Sequence, residues 1–291
     1  MEIRLLEPYG YCAGVASAME IAKNTKKNNP DKDVVVLGML VHNQDALEEL
    51  SSLGIKTLYK SDVSLLDLID EIDIKSIVIL TAHGHSKAIE DKLNEKKIQF
   101  VDATCPFVTN SFKIIKDAID EKHDVIYIGK KNHPESNAAL SLSNRVHLIE
   151  LGKPLDLSFI KDNSPLIISQ TTFSALEIEQ LVSQIKKIVP NAKVINGICN
   201  ASTNRQKALL SIPKNTELIY VVGGVNSNNT KTLFKMAESH FPHIKVLAIQ
   251  NENDINKKDL IGLSRIVISS GASTPRRVLE AIKSKIESLS D

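Results

Sequence analysis

Three times along this chain a short apolar run is followed by a cysteine and then by residues with helical periodicity, at nearly equal intervals. Cys12, Cys105 and Cys199 are separated by 105 − 12 = 93 and 199 − 105 = 94 residues. The runs are EIRLLEPYGYC, IQFVDATCPF and KVINGICNAS. A cysteine that ends a strand and opens a strand-to-helix turn stands where open α/β sheets place their ligands. A chain that repeats this must build a similar α/β unit three times, and its three cysteine-bearing turns can converge on one point.

The register extends beyond the cysteines. After Cys12 come the helix-like GVASAMEIAKNTKK, the buried strand DVVVLG and the polar loop LVHNQD. After Cys105 the same order reads PFVTNSFKIIKDAIDEK, DVIYIG and KKNHPES; after Cys199 it reads NASTNRQKALLSI, ELIYVVGG and VNSNNTK. Each unit continues with a minor strand (IKTLY, RVHLIE, IKVLAIQ) and an acidic, helix-compatible stretch. A second apolar strand then runs into another polar loop (SIVILTAHGHS, PLIISQTTFS, RIVISSGAST), and a closing helix follows. Alternating strands and helices imply parallel sheets with right-handed crossovers. The third closing helix has no strand after it, so the amino-terminal strand, residues 2–6, is the spare piece that completes the third sheet. The expected fold is α/β, with three similar open parallel-sheet units around a pseudo-threefold axis. Their bounds are 13–103, 104–197 and 198–291, the last completed by 1–12.

Composition narrows the partners. The 36 basic and 35 acidic residues leave a net charge of +1, which argues against nucleic acid or an anionic membrane as an obligate partner. No apolar run approaches the roughly 20 residues of a membrane span, and MEIRLLEPYG lacks the regions of a signal peptide. The expected location is the cytoplasm, where a reducing milieu keeps three cysteines as thiols. Soft thiolates at one point suit iron–sulfur or zinc, and three of them leave a fourth coordination position open.

Equivalent units would bring nine loop ends to one cavity. Three carry the cysteines. Three carry His42, His133 and Ser227, at Cys + 30, + 28 and + 28, and three carry His83, Thr171 and Ser273, at Cys + 71, + 66 and + 74. Imidazoles, hydroxyls and amides in such loops are suited to hydrogen-bonding an anion. The stretch Asn226-Ser227-Asn228-Asn229-Thr230 lies at a helix start, where exposed N–H groups also favour one; Thr172 adds a hydroxyl beside Thr171. Glu135, two residues past His133, reads equally as a first-turn acid stabilised by the helix dipole and as a proton donor beside a bound substrate. His85, His123, His147, His240 and His243 follow no such register and read as structural.

The stretches GYCAGVASAMEIA, LVHN, TAHGHS, FVDATCPFV, NHPES, SQTTFS, ICNASTNRQ, NSNNTKTL and GAST run in this order from residue 10 to residue 274. Together they resemble the 4-hydroxy-3-methylbut-2-enyl diphosphate reductase (LytB) family, whose members catalyse the last step of the non-mevalonate isoprenoid pathway. The resemblance implies a three-unit cloverleaf around a 4Fe-4S cluster held by Cys12, Cys105 and Cys199, with one iron left open. It implies substrate contacts from His42, His83, His133, Thr172, Ser227, Asn228, Asn229 and Ser273. Thr171 is implied near the substrate hydroxyl and Glu135 as the proton-delivering acid, so these two form the implied catalytic pair. The implied reaction is reductive dehydroxylation to isopentenyl and dimethylallyl diphosphates, with reduced ferredoxin or flavodoxin as electron donor. Asn228 departs from the family's usual serine, Tyr9 and Tyr11 from its usual Arg and Phe, and His85 from an apolar residue. A quinolinate-synthase-like dehydratase would not need the NSNN and QTT loops. An iron–sulfur carrier would normally use four cysteines and would need neither Glu135 nor a polar cavity, and a sensor would carry a basic nucleic-acid-binding region that this sequence lacks.

Overall fold

The computed structural model describes residues 1–290. Its strands are β1 (Glu2–Leu5), β2 (Val34–Leu37), β3 (Ile55–Leu58), β4 (Ile77–Leu80), β5 (Gln99–Asp102), β6 (Val125–Ile128), β7 (Val146–Ile149), β8 (Leu166–Ser169), β9 (Lys193–Val194), β10 (Leu218–Val222), β11 (Lys245–Ile249) and β12 (Arg265–Ser270). They form three four-stranded sheets, β3-β2-β4-β5, β7-β6-β8-β9 and β11-β10-β12-β1, in which every pairing is parallel. The inner strands of each sheet are the β-branched runs VVVL, IVIL, VIYI, LIIS, LIYVV and RIVISS, buried almost throughout. Such runs suit strands covered by helices on both faces. The third sheet is completed by β1, whose Glu2 and Leu5 stand opposite Arg265 and Ile268 of β12.

The chain divides into two compact units, Met1–Ala16 with Val41–Glu49 and Cys199–Asp291, and Ser17–Leu40 with Leu50–Ile198. In the first, Leu218, Tyr220, Val222, Ile266 and Ile268 on one sheet face pack against Val278, Leu279, Ile282 and Ile286 of helix Arg276–Ser290. The opposite face, with Ile219, Val221 and Val267, meets Leu209 of helix Asn200–Leu210 and Leu233 and Ala237 of helix Asn228–His240. Strand periodicity of two meets helix spacing of three and four, so each sheet face finds a matching apolar stripe. The second unit holds the other two sheets. Leu37, Val78 and Leu80 pack against Ile89 and Leu93 of helix Lys87–Glu95. Ile126, Ile128 and Ile167 pack against Ile178, Leu181 and Ile185 of helix Ala175–Ile188.

Two local features differ from the expected pattern. The acidic stretches are not uniformly helical. The first is a short helix, Leu65–Leu68, running into a 3-10 turn, and the third is two 3-10 turns, Glu252–Asp254 and Lys257–Leu260. The second, after β7, has no helix: Gly152, Pro154 and Pro165 interrupt it, and Leu157 still packs on the core from irregular backbone. The third cysteine-bearing strand is also curtailed, since β9 holds only two residues and one further N–H, from Ile195, reaches the Ile167 carbonyl at 2.9 Å. Two residues on, Gly197 lies so close to β8 that a Cβ there would stand 2.0 Å from the Ser169 carbonyl oxygen. Gly197→Ala is therefore expected to lower unfolding free energy by about 1–3 kcal/mol through overpacking, measurable as a lowered urea midpoint with unchanged slope.

Candidate active site

In the second unit, β5 leads to helix Pro106–Asp120, with Cys105 as its N-cap and Pro106 in the first turn. The Cys105 N–H donates to the Ala82 carbonyl at 3.0 Å, which ties this turn to the loop after β4 that carries His83. The His83 and His133 rings meet edge to face, centroids 5.4 Å apart. His133 caps helix Pro134–Leu140: its Nδ1 accepts the Glu135 N–H at 3.2 Å. A neutral His133 must then carry its proton on Nε2.

Glu135 is fully buried beneath this turn. Its Oε1 accepts the Thr171 N–H at 2.9 Å and the Tyr127 hydroxyl at 3.3 Å, and its Oε2 accepts the Thr171 hydroxyl at 2.9 Å. Desolvation pushes the carboxyl up from 4.5 to about 7, and the three hydrogen bonds only partly offset that. Tyr127 is driven well above its ordinary value, chiefly by burial and then by the adjacent Glu135. Near neutral pH Glu135 thus holds its acid and base forms in comparable amounts, the condition for giving up a proton and being recharged. Gln170, also buried, fixes the loop from behind. Its Oε1 accepts the Lys130 N–H at 3.1 Å and the Ser136 hydroxyl at 3.4 Å, and its Nε2 donates to Thr172 Oγ1 at 3.1 Å.

The first unit carries the other two cysteines. The Cys12 N–H donates to the Ala272 carbonyl at 2.9 Å, and the Val15 N–H approaches Cys12 Sγ at 3.5 Å. Cys199 caps helix Asn200–Leu210, its Sγ facing the Ser202 N–H at 3.4 Å and the Ser202 hydroxyl at 3.2 Å. Asn229 joins these regions: its Nδ2 donates to Ser202 Oγ at 3.0 Å, and its Oδ1 accepts the Ala272 N–H at 3.0 Å. Ser227 caps helix Asn228–His240 by accepting the Thr230 N–H at 3.2 Å, which leaves its own hydroxyl proton available as a donor. Asn228 is half-buried at the first helical position, Ser273 is buried, and His42 is half-buried just before helix Gln44–Ser52. Among the residues set aside as structural, His85 bonds Glu90 at 2.8 Å and His123 bonds Asp162 at 2.8 Å.

Four residues of this chemistry went unnoticed as individuals in the sequence. Ser202 and Arg205 lie inside ICNASTNRQ, Gln170 directly precedes Thr171, and Tyr127 sits within an apolar strand. Only Arg205 had an available signal, a cation on an apolar-spaced helix six residues past a cysteine. Arg205 is 3 % exposed; Nε donates to the Ser270 carbonyl at 3.1 Å and Nη2 to the Gly10 carbonyl at 2.5 Å. Burial lowers its pKa, and its electrostatic interaction with Cys12 and Cys199 works in the opposite direction.

The comparison that decides kinship is the match of residues 3–287 to the family described as LytB protein. The chain belongs to the LytB family. Proteins named 4-hydroxy-3-methylbut-2-enyl diphosphate reductase from Symbiobacterium thermophilum, over 97% of this chain and 95% of theirs, and from Malacoplasma penetrans, over 94% and 93%, are each 35% identical to it. Among solved structures, the E-1-hydroxy-2-methyl-but-2-enyl-4-diphosphate reductase of Plasmodium falciparum superposes with a TM-score of 0.86 at 26% identity, covering 100% of this chain and 88% of that one. A second, titled (E)-4-hydroxy-3-methyl-but-2-enyl diphosphate reductase, the terminal enzyme of the non-mevalonate pathway, gives 0.70 at 28% identity, covering 99% and 100%.

The donor set of this LytB chain fits an iron–sulfur cluster. All three cysteines are of intermediate exposure and outside any disulfide, and each stands at a helix start. N–H groups approach the sulfurs of Cys12 and Cys199, as in cluster sites where such contacts tune the ligand sulfur.

Glu135 also makes stability depend on pH. Its folded pKa of about 7 exceeds its ordinary 4.5, so its proton-linked contribution is full below about pH 4.5 and is lost as pH rises through 7. Glu135→Gln, whose amide can donate to Thr171 Oγ1, removes that loss. The apoprotein variant is expected to gain stability over wild type from pH 5 to pH 8, by up to about 3 kcal/mol; urea unfolding at the two pH values measures the difference.

Proposed function

We propose that this chain reduces (E)-4-hydroxy-3-methylbut-2-enyl diphosphate to isopentenyl and dimethylallyl diphosphates, the last step of the non-mevalonate pathway. Family membership over residues 3–287 supports the substrate class. The single structural observation that carries the reading is the Glu135–Thr171 pair, a buried carboxyl poised near neutrality and bonded through both oxygens to one threonine. In this reading Cys12, Cys105 and Cys199 are the ligands of a 4Fe-4S cluster. The segments 13–103, 104–197, and 198–291 with 1–12 are its three equivalent α/β units. When bound, the cluster supplies electrons one at a time and an iron without a protein ligand that polarises the substrate's C4 oxygen.

The chain's own residues bind the substrate and move the proton. His42, His83, His133, Thr172, Ser227, Asn228, Asn229 and Ser273 hold the diphosphate and its surroundings by hydrogen bonds, Ser227 through the proton its capping role leaves it. Thr171 passes the Glu135 proton to the C4 hydroxyl. The C4–O bond then breaks, water departs, and the two electrons remain with the allylic fragment. A second proton, added at either end of that fragment, yields the two products. The electrons come from a small one-electron carrier, a reduced ferredoxin or flavodoxin, and the reducing cytoplasm is the compartment that keeps three cysteines as thiols.

The test is anaerobic. The protein is reconstituted with iron and sulfide, given reductant and substrate, and assayed for both isoprenoid diphosphates. Product that requires the cluster and disappears in Cys105→Ser is the expected result; a formed cluster without product would sink the reading. Glu135→Gln is expected to keep substrate binding and the cluster absorbance while losing about 99% of turnover, the low end of what a positioned acid contributes. Near-normal turnover in that variant would remove Glu135 from the mechanism.

A further inference from the structure

Arg205 is a buried cation without a carboxylate. Among the described residues no acidic side chain lies within salt-bridge distance of it, and its two hydrogen bonds go to backbone carbonyls. The side chains whose electrostatic interaction with it opposes the effect of burial are Cys12 and Cys199. Burying an unpaired charge is costly. Two carbonyl dipoles hydrogen-bond the guanidinium but do not neutralise it, so the fold retains a positive charge whose counter-charge must come from the sulfurs or from what they bind.

Its geometry points the same way. Arg205 lies on helix Asn200–Leu210, six residues beyond the capping Cys199. One arm of its fork reaches the carbonyl of Gly10, two residues before Cys12, and the other the carbonyl of Ser270 at the end of β12. The strand-end loop that follows supplies Ala272, which accepts the Cys12 N–H. One side chain therefore ties the helix of one cysteine to the turn of another, and sets its charge within electrostatic reach of both.

We propose that Arg205 is a positioning residue that balances the charge of the thiolate-bound cluster and holds the centre's reduction potential up. The inference rests on the reading that the three cysteines hold a cluster. Each electron added makes an anionic centre more negative, and a fixed positive charge in a low-dielectric surrounding stabilises the reduced form more than the oxidised one. The fork and the charge are separable roles, because lysine keeps a point charge and loses the planar fork, whereas glutamine keeps a donor and loses the charge.

The test uses full-length wild type, Arg205→Gln and Arg205→Lys. Each is reconstituted anaerobically, checked for folding by circular dichroism, and titrated electrochemically with EPR detection of the reduced centre. Arg205→Gln is expected to shift to a more negative potential and Arg205→Lys to keep the wild-type value. Both should release iron to a chelator several-fold faster, because both lose the clamp. An unmoved potential in Arg205→Gln, or a lowered one in Arg205→Lys, would overturn the proposal, and where the glutamine variant does not fold Arg205→Met makes the same test of charge removal. A wild-type protein that takes up no cluster would remove the underlying reading instead.

Discussion

Parallel strand pairing is the constraint on which the remainder depends. In a parallel sheet every strand points the same way, so its carboxyl ends and the amino ends of the following helices lie at one edge. The inner strands β2 and β4, β6 and β8, and β10 and β12 are buried by helices packed on the sheets. That burial locks register, because a one-residue slip would turn each strand's packed side chains to the opposite face. Cys105, His83, His133 and Thr171 in one unit, and Cys12, Cys199, Ser227 and Ser273 in the other, all follow a strand and precede or open a helix. A conventional core is what places unconventional chemistry.

The two units handle buried polarity in opposite ways. Around Glu135 the surroundings offer three neutral donors, which do not offset desolvation, and the carboxyl is pushed up to about 7. Around Arg205 the guanidinium lies in the interior on two backbone carbonyls, with no acidic side chain among the described residues within salt-bridge distance. One arrangement suits storing a transferable proton; the other suits an anionic, electron-accepting centre. Both depend on hydrogen bonds to backbone that other residues hold in place, among them Gln170 behind Thr171 and Asn229 between Ser202 and Ala272.

Much of this was legible along the chain because it follows from local pattern. The β-branched runs mark the inner strands, and the spacings of 93 and 94 residues mark the repeat. The near-constant offset of His42, His133 and Ser227 marks loops that follow equivalent strands. Where local pattern misled, chain geometry is the reason. Gly152, Pro154 and Pro165 deny a helix to a stretch with acidic, helix-compatible composition, and the third cysteine-bearing strand holds only two residues, with Gly197 then running close against Ser169.

The sequence by itself determined the α/β class, the strand and helix succession, the family and the residue types available for chemistry, since these rest on periodicity and on motifs contiguous in the chain. Only the tertiary structure decided the state of those residues. Nothing in NHPES shows that Glu135 is dry enough to titrate near 7, because its desolvation comes from a strand and a loop up to 36 residues away. Nothing in NASTNRQ shows that Arg205 reaches a carbonyl 195 residues back in the chain. Protonation and buried charge depend on burial and on partners distant in sequence, and those exist only once the chain has closed on itself.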